Sequence, residues 1–189
     1  MNQVVSLHSV QALQKIPVRD TISLRPLKSS DAQQFLNILD ADQSIRKKVT
    51  VASHFHTVED VASQVDKYKA DPGLIRYTVL RDNTPIGLIS LWRDDGFFGT
   101  PSQLNNYGFG YFLDPKERGK GIVTSALKSV METVQKHLYV EQFVAFCEDY
   151  NAESISVLSK LGFERTEETF SEPEHGWVER KYIKHIDSI

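Results

Sequence analysis

The 189 residues contain a single cysteine, Cys147, which excludes an internal disulfide and a cysteine-built zinc site. No stretch approaches the roughly 20 consecutive apolar residues of a membrane-spanning helix. Residues 1–20, polar at every second or third position, lack the apolar run of a secretory signal. Neither sign of charge dominates: 22 Lys and Arg against 25 Asp and Glu leave a formal charge of −3, with no general pull toward nucleic acid. The 10 glycines and 7 prolines never concentrate into a linker, and neither a repeat nor a low-complexity tract occurs. What remains is 40% hydrophobic, 10% aromatic and 25% charged, the make-up of a soluble globular chain. At this length one domain is expected, over residues 21–189, after an extension at 1–20 whose apolar residues fit neither regular period. These absences predict a cytoplasmic protein with no membrane, nucleic-acid or metal partner.

Periodicity supplies the elements. Ile22 and Leu24 alternate with Thr21, Ser23 and Arg25 in a short strand closed by Pro26. A helix is predicted from Ser30, with Gln33 completing a capping box and Ala32, Phe35, Leu36 and Leu39 as its apolar stripe. A second begins near Thr57 with Val58, Val61, Val65 and Tyr68 on one face. Strands at Ile75–Leu80 and Ile86–Trp92 flank a turn at Arg81–Pro85, and Arg93–Asn106 reads as a loop. A strand at Tyr107–Leu113 precedes a long helix at Gly121–Leu138, with Ile122, Ala126, Leu127, Val130 and Val134 facing inward. Then come a strand at Phe143–Cys147, a helix at Asn151–Leu161 stopped by Gly162, and a closing hairpin of Phe163–Glu168 with Trp177–His185. Helices and strands alternating around a mixed sheet predict an α/β (α+β) layer fold.

The strongest chemical signal is Arg118-Gly119-Lys120-Gly121-Ile122-Val123-Thr124, between a strand and the long helix. Glycines let the backbone turn so that successive amides point at one anion. The helix N-terminus adds a partial positive charge, and Arg118 and Lys120 add full ones. The pattern is neither a P-loop nor a dinucleotide fingerprint. Taken alone, it is either a pyrophosphate cradle or a basic, glycine-rich turn that starts a helix.

Its surroundings carry a resemblance. Gly110-Tyr111-Phe112-Leu113-Asp114-Pro115, followed by Arg118-Gly119-Lys120-Gly121, resembles the acetyl-CoA-binding core of the GNAT superfamily of N-acetyltransferases. That signature, Gln/Arg-x-x-Gly-x-Gly/Ala, finds Arg118, Gly121 and Val123 at its fixed positions; Val123 departs from the usual small residue but keeps its amide. Asn151-Ala152-Glu153-Ser154 and Lys160-Leu161-Gly162-Phe163 resemble the family's Asn-x-x-Ala/Ser and Gly-Phe pair. Leu24-Arg25-Pro26-Leu27 with Asp31-Ala32 resembles the opening of the subgroup holding the Rim-type ribosomal-protein acetyltransferases. The likeness covers residues 21–185.

It implies a splayed central mixed β-sheet flanked by helices, with acetyl-CoA as cosubstrate. The pantetheine arm would lie between the strands at Tyr107–Leu113 and Phe143–Cys147. Amides of Gly119, Lys120, Gly121, Ile122, Val123 and Thr124 would hold the pyrophosphate with Arg118, and Asn151 completes the cofactor site. Main-chain donors at Phe112 or Leu113 would polarise the thioester carbonyl. A substrate amine would attack the acetyl group directly, which needs a base for the ammonium and an acid for the leaving thiolate.

Many relatives place a tyrosine acid where this chain has Leu158; the Rim-type subgroup uses a serine at the position of Ser154, which is therefore the candidate acid. The common carboxylate base is replaced by Gly108, leaving Glu172 and Glu174, with His175 as a further candidate. Loss of the proton to solvent is the other route, since an α-amine has a pKa of roughly 7.7–8.0. Glu164, Glu167, Glu168, Glu172 and Glu174, offset by Arg165, either favour a cationic acceptor or line a solvated strand and turn. His54 and His56 lack a third metal ligand, and Cys147 reads as a packed core residue. The expected acceptor is a protein N-terminal amine, with a polyamine, amino acid or aminoglycoside as alternatives, bound by divergent loops at 42–57, 93–106 and 169–177. The contrasting reading is a non-catalytic acyl-CoA-binding module. Self-association as a homodimer stays open.

Overall fold

The computed structural model describes residues 15–71, 73–94, 105–172 and 176–186, with the side chains of Glu172 and Trp177 left undescribed. In chain order the strands are β1 (Ile16–Arg19), β2 (Ile22–Pro26), β3 (Leu74–Arg81), β4 (Thr84–Arg93), β5 (Asn106–Leu113), β6 (Gln142–Cys147), β7 (Glu164–Glu172) and β8 (Trp177–His185). The helices are α1 (Ala32–Ala41), α2 (Ser44–Lys48), α3 (Thr50–Ser53), α4 (Val58–Ala70), α5 (Ile122–His137) and α6 (Ala152–Lys160). The strands form one mixed sheet in the order β1-β2-β3-β4-β5-β6-β8-β7. Contacts divide the chain into one unit of Met1–Leu91 with Gly110–Leu138 and another of Trp92–Phe109 with Tyr139–Ile189. No helix among the described residues is long and apolar enough to cross a membrane.

In the first unit β1, β2 and β3 are joined antiparallel. The sheet thus begins at Ile16, inside the stretch expected to be an extension; a four-residue strand is too short to show its period. The core lies under α1 and α4. Phe35 stacks on Phe55 with ring centroids 6.3 Å apart and meets Phe112 edge-on at 5.4 Å. Val61, Val65 and Tyr68 are buried, but Val58 is 40% exposed, so the inward face of α4 starts one turn later than its apolar residues suggest. A capping box starts that helix: the Asp60 amide donates to Thr57 Oγ1 and the Thr57 amide to an Asp60 carboxylate oxygen.

The start of α1 differs from expectation. Gln33 closes no capping box and donates instead to Asn37. A 3₁₀ turn at Ser29–Asp31 leads in, and the buried Asp31 carboxylate accepts from the Lys28 amide, both Arg25 terminal nitrogens and the Thr78 hydroxyl. A carboxylate 1% exposed must collect such donors, and these lie on β2 and β3 rather than in the helix. The β3–β4 turn is tighter than Arg81–Pro85: Asp82 and Asn83 take left-handed φ of 48° and 67°, and Pro85 joins the strand. The 42–57 segment, expected to be loop, holds α2 and α3, each too short to display a period.

In the second unit β5 pairs β6 in parallel over Asn106–Gly108 and Gln142–Val144, although β5 runs on to Leu113 and β6 to Cys147. The splayed mixed sheet expected from the resemblance is the fold found. β8 pairs antiparallel with both β6 and β7. β7 extends to Glu172, four residues past the expected end, with an irregularity between Arg165 and Thr169 that breaks the alternation. Gly162, at φ +77°, ends α6 as predicted.

Candidate active site

The loop before α5 is built by two glycines. Gly119 and Gly121 hold φ of +73° and +69°, a region that costs an L-residue roughly 1–2 kcal/mol. Gly121 occupies the N-cap of α5, and no side chain caps the helix there. First-turn amides have no acceptor within their own helix, so this geometry suits an anion.

The flanking cations are arranged less simply than the sequence suggests. Arg118 pairs with Asp42 at 2.8 Å, and Lys120 with Glu117 at 3.0 Å, while Arg81 reaches the same Glu117 oxygen at 2.8 Å. Burial pushes the Glu117 carboxyl up, but the hydrogen bonds and charges of Arg81 and Lys120 outweigh it and hold the group below its usual range. Both cations expected at the cofactor thus have carboxylate partners. A third was not anticipated: the Arg19 guanidinium donates to the Lys120 carbonyl and lies 3.9 Å from where a Gly121 Cβ would stand. Its place on β1, within the supposed extension, concealed it.

The end of β5 is drawn close to β4. A Cβ on Gly87 would stand 2.4 Å from the Phe112 carbonyl oxygen and 3.1 Å from Leu113 Cα. The Asp114 amide donates to the Ile86 carbonyl at 2.8 Å. The side chains of Phe112 and Leu113 are buried, which anchors the backbone proposed to face the thioester.

The second unit holds the remaining candidates. A Cβ on Gly108 would lie 2.5 Å from Cε2 and Nε1 of Trp92, so the indole occupies the room that the family's carboxylate would need. Leu158, at the usual tyrosine position, is 2% exposed and belongs to the core. The Asn151 amide donates to the Glu148 carbonyl at 2.9 Å, and Asn151 Oδ1 accepts from the Ser154 amide at 3.2 Å, capping α6. Ser154 is half-buried in the first turn of that helix. Glu172 ends β7 opposite Trp177, while Glu174 and His175 lie outside the described residues. Of the acidic run, Glu168 pairs with Lys181 at 2.9 Å and Glu167 lies 3.6 Å from Arg165, so part of its charge is compensated. Cys147 is buried, and burial pushes its thiol up to about 11 against a Tyr182 hydrogen bond; the side chain is packed rather than activated.

One carboxylate was missed altogether. Glu179 on β8 faces Phe170 of β7 in the strand register. The β6–β8 register ends at Cys147 with Arg180, so Glu148 follows that last pair on one strand and Glu179 precedes it on the other. Burial first, then the Glu148 charge, pushes Glu179 up to about 7. Nothing local in the sequence couples residues 148 and 179; strand alternation in β8 signals only that Glu179 shares a face with Lys181.

The model of the Acetyltransferase (GNAT) domain family matches residues 21–164. The chain belongs to this family. Being a GNAT N-acetyltransferase, it is also similar to a probable N-acetyltransferase, YjcK, of Bacillus subtilis (strain 168), 27% identical over 152 residues, 77% of this chain and 81% of the relative. Among solved structures, RimL, a ribosomal L7/L12 alpha-N-protein acetyltransferase in complex with coenzyme A, superposes with a TM-score of 0.75. It is 19% identical, covering 92% of this chain and 98% of RimL. The microcin C7 self-immunity acetyltransferase MccE, in complex with acetyl-CoA and AMP, gives a TM-score of 0.76 at 20% identity, covering 94% and 99%. These two likenesses establish the GNAT fold.

Proposed function

We propose that this GNAT protein moves the acetyl group of acetyl-CoA to the N-terminal amine of a protein. The observation that carries the cofactor assignment is the uncapped start of α5, preceded by two left-handed glycines. Amides of residues 119–124 hold the pyrophosphate, with Arg118 and Lys120 adding charge. The Phe112–Leu113 backbone, fixed against Gly87, polarises the thioester carbonyl. Bound acetyl-CoA supplies an activated acyl group. In the second unit Ser154 passes a proton to the departing thiolate, held in place by the α6 cap that Asn151 forms. A protein N-terminus is favoured by the Leu24-Arg25-Pro26-Leu27 opening, whose Arg25 locks onto Asp31 at 2.6 Å.

Gly108 and Leu158 favour a second reading, a domain that binds acyl-CoA without turnover. Release of free thiol from acetyl-CoA separates the two, measured over peptides with free N-termini, polyamines, amino acids and aminoglycosides. Turnover with peptides and with no small amine supports the main reading. Turnover confined to a small amine replaces the acceptor, and calorimetric binding with no thiol release above background favours the second reading.

A further inference from the structure

We propose that the Glu179 carboxylate is the general base that takes the proton from the acceptor ammonium, with Glu148 as its positioning partner. This rests on the acetyltransferase reading above. An ammonium cannot attack a thioester until it has lost a proton, and the family's usual carboxylate position is closed here by Trp92 over Gly108. The second unit offers a substitute across its sheet.

Glu179 faces Phe170 of β7 in the strand register, and Glu148 follows directly on β6, whose last pair with β8 is Cys147 with Arg180. Phe170 presents no charge, and Glu148 presents a carboxylate that is only 8% exposed. The Tyr150 hydroxyl donates to Glu148 and holds that carboxylate in place. The cations of β8 are engaged elsewhere. Lys181, two residues along on the same face, pairs with Glu168 at 2.9 Å. Arg180 falls on the opposite face by strand alternation and binds Asp149 at 2.8 Å. Among the described residues no cation pairs with Glu179, and burial beside a like charge gives it an affinity for protons suited to neutral pH. The turn that carries Glu148 leads through Asn151 to Ser154, so the positioning partner and the proton donor share one short stretch of structure.

The step balances. Glu179 takes one proton from the ammonium, and the freed lone pair forms the N–C bond at the acetyl carbonyl. The C–S bond breaks with its electron pair on sulfur. The second proton lost by nitrogen reaches the thiolate through Ser154, and Glu179 returns its proton to water.

The test is the pH dependence of kcat/KM with the best acceptor of the panel, for wild type and for Glu179→Gln, Glu148→Gln, Glu172→Gln and Glu174→Gln. Acetyl-CoA affinity by calorimetry runs alongside. Wild type should lose activity below about pH 7, the value to which Glu179 is pushed. Glu179→Gln should be about 100-fold slower at neutral pH with unchanged acetyl-CoA affinity, its rate following the amine's own ionisation upward. Glu148→Gln removes the like charge and should move the acidic limb to lower pH; it serves alone if Glu179→Gln fails to fold. A wild-type rate and limb in Glu179→Gln, an unmoved limb in Glu148→Gln, or the collapse appearing in Glu172→Gln or Glu174→Gln instead, overturns the proposal. Wild type that neither binds acetyl-CoA nor turns over sinks the acetyltransferase reading as well. Binding without turnover sinks the base and leaves the cofactor assignment standing.

Discussion

Replacing Gly108 by alanine tests whether the indole of Trp92 truly fills the vacant carboxylate position. The added methyl would stand 2.5 Å from Cε2 and Nε1 and 2.7 Å from Cζ2, inside the distance that bonded-free carbon atoms tolerate. The contact is with a rigid ring rather than the end of a flexible chain, so relief requires the indole or β5 itself to move. Overpacking of this kind costs roughly 1–3 kcal/mol. Against it stands the lower unfolded-chain entropy of alanine, which returns about 0.4–1 kcal/mol. Contacts this far below 3.0 Å put the cost in the upper part of that range, about 2–3 kcal/mol, so the net loss is about 1–2.6 kcal/mol, a fall in Tm of roughly 2–10 °C for a chain of this size. The assay is thermal and urea unfolding of wild type, Gly108→Ala, Trp92→Leu and the double variant. Trp92→Leu removes the clashing ring at its own cost in packing, and Gly108→Ala should then cost much less than in wild type. Gly108→Ala within about 0.5 kcal/mol of wild type, or equal costs in both backgrounds, would refute the packing argument. The same clash predicts that Gly108→Glu, which supplies the family's carboxylate, lowers stability and does not raise turnover.

Four further outcomes follow from the geometry. Gly121→Ala forces a side chain into φ +69° and should weaken acetyl-CoA binding about 5- to 30-fold by calorimetry, from a strain of roughly 1–2 kcal/mol. Arg19→Ala, which removes the donor to the Lys120 carbonyl, should weaken acetyl-CoA binding while leaving the affinity for acetyl-pantetheine, which has no pyrophosphate, unchanged. Gly87→Ala presses on the Phe112 carbonyl and should lower kcat more than acetyl-CoA affinity. Asp31 predicts a pH dependence of stability: burial raises its carboxyl, but Arg25, Thr78 and the Lys28 amide bring it below the ordinary value. A depressed folded value means that the group stabilises fully at neutral pH and loses its contribution as pH falls from the ordinary carboxylate range through the folded value. Urea unfolding should show this loss, and Asp31→Asn, less stable at pH 7, should show a shallower one.

How far the sequence reveals this molecule depends on whether the deciding interactions are local. The glycine-rich loop before α5 was legible because its glycines, a helix start and basic neighbours lie within seven residues. α5 was legible because Ile122, Ala126, Leu127, Val130 and Val134 share one face over four turns. β1, α2 and α3 were not, each being too short for a period to emerge. The role of Arg118 was read only in part, because its partner Asp42 lies in a distant segment and no local rule couples the two. The loop's fixed charge is therefore smaller than the count of Arg118 and Lys120 suggests, and this is where Arg19 gains its weight.

The candidate base was hidden for the same reason in a stronger form. A carboxylate near the turn at residues 172–174 is visible as an acidic run, and a run of exposed charges invites attention that its chemistry does not reward. Glu167 and Glu168 lie against Arg165 and Lys181, so their charges already have partners at the surface. Glu179 sits instead in Val178-Glu179-Arg180-Lys181, where two following cations make it look paired. Strand alternation separates them: Arg180 turns to Asp149, Lys181 to Glu168, and Glu179 is left facing Phe170 under the influence of the Glu148 charge. The proton affinity of that group is a product of the β6–β8–β7 strand order, which sets Phe170 opposite Glu179 and ends the β6–β8 pairing just beside it. A shift of β8 by one residue against β6 would turn Glu179 to the opposite face and set Arg180 opposite Glu148, removing the base without changing a single residue near the cofactor.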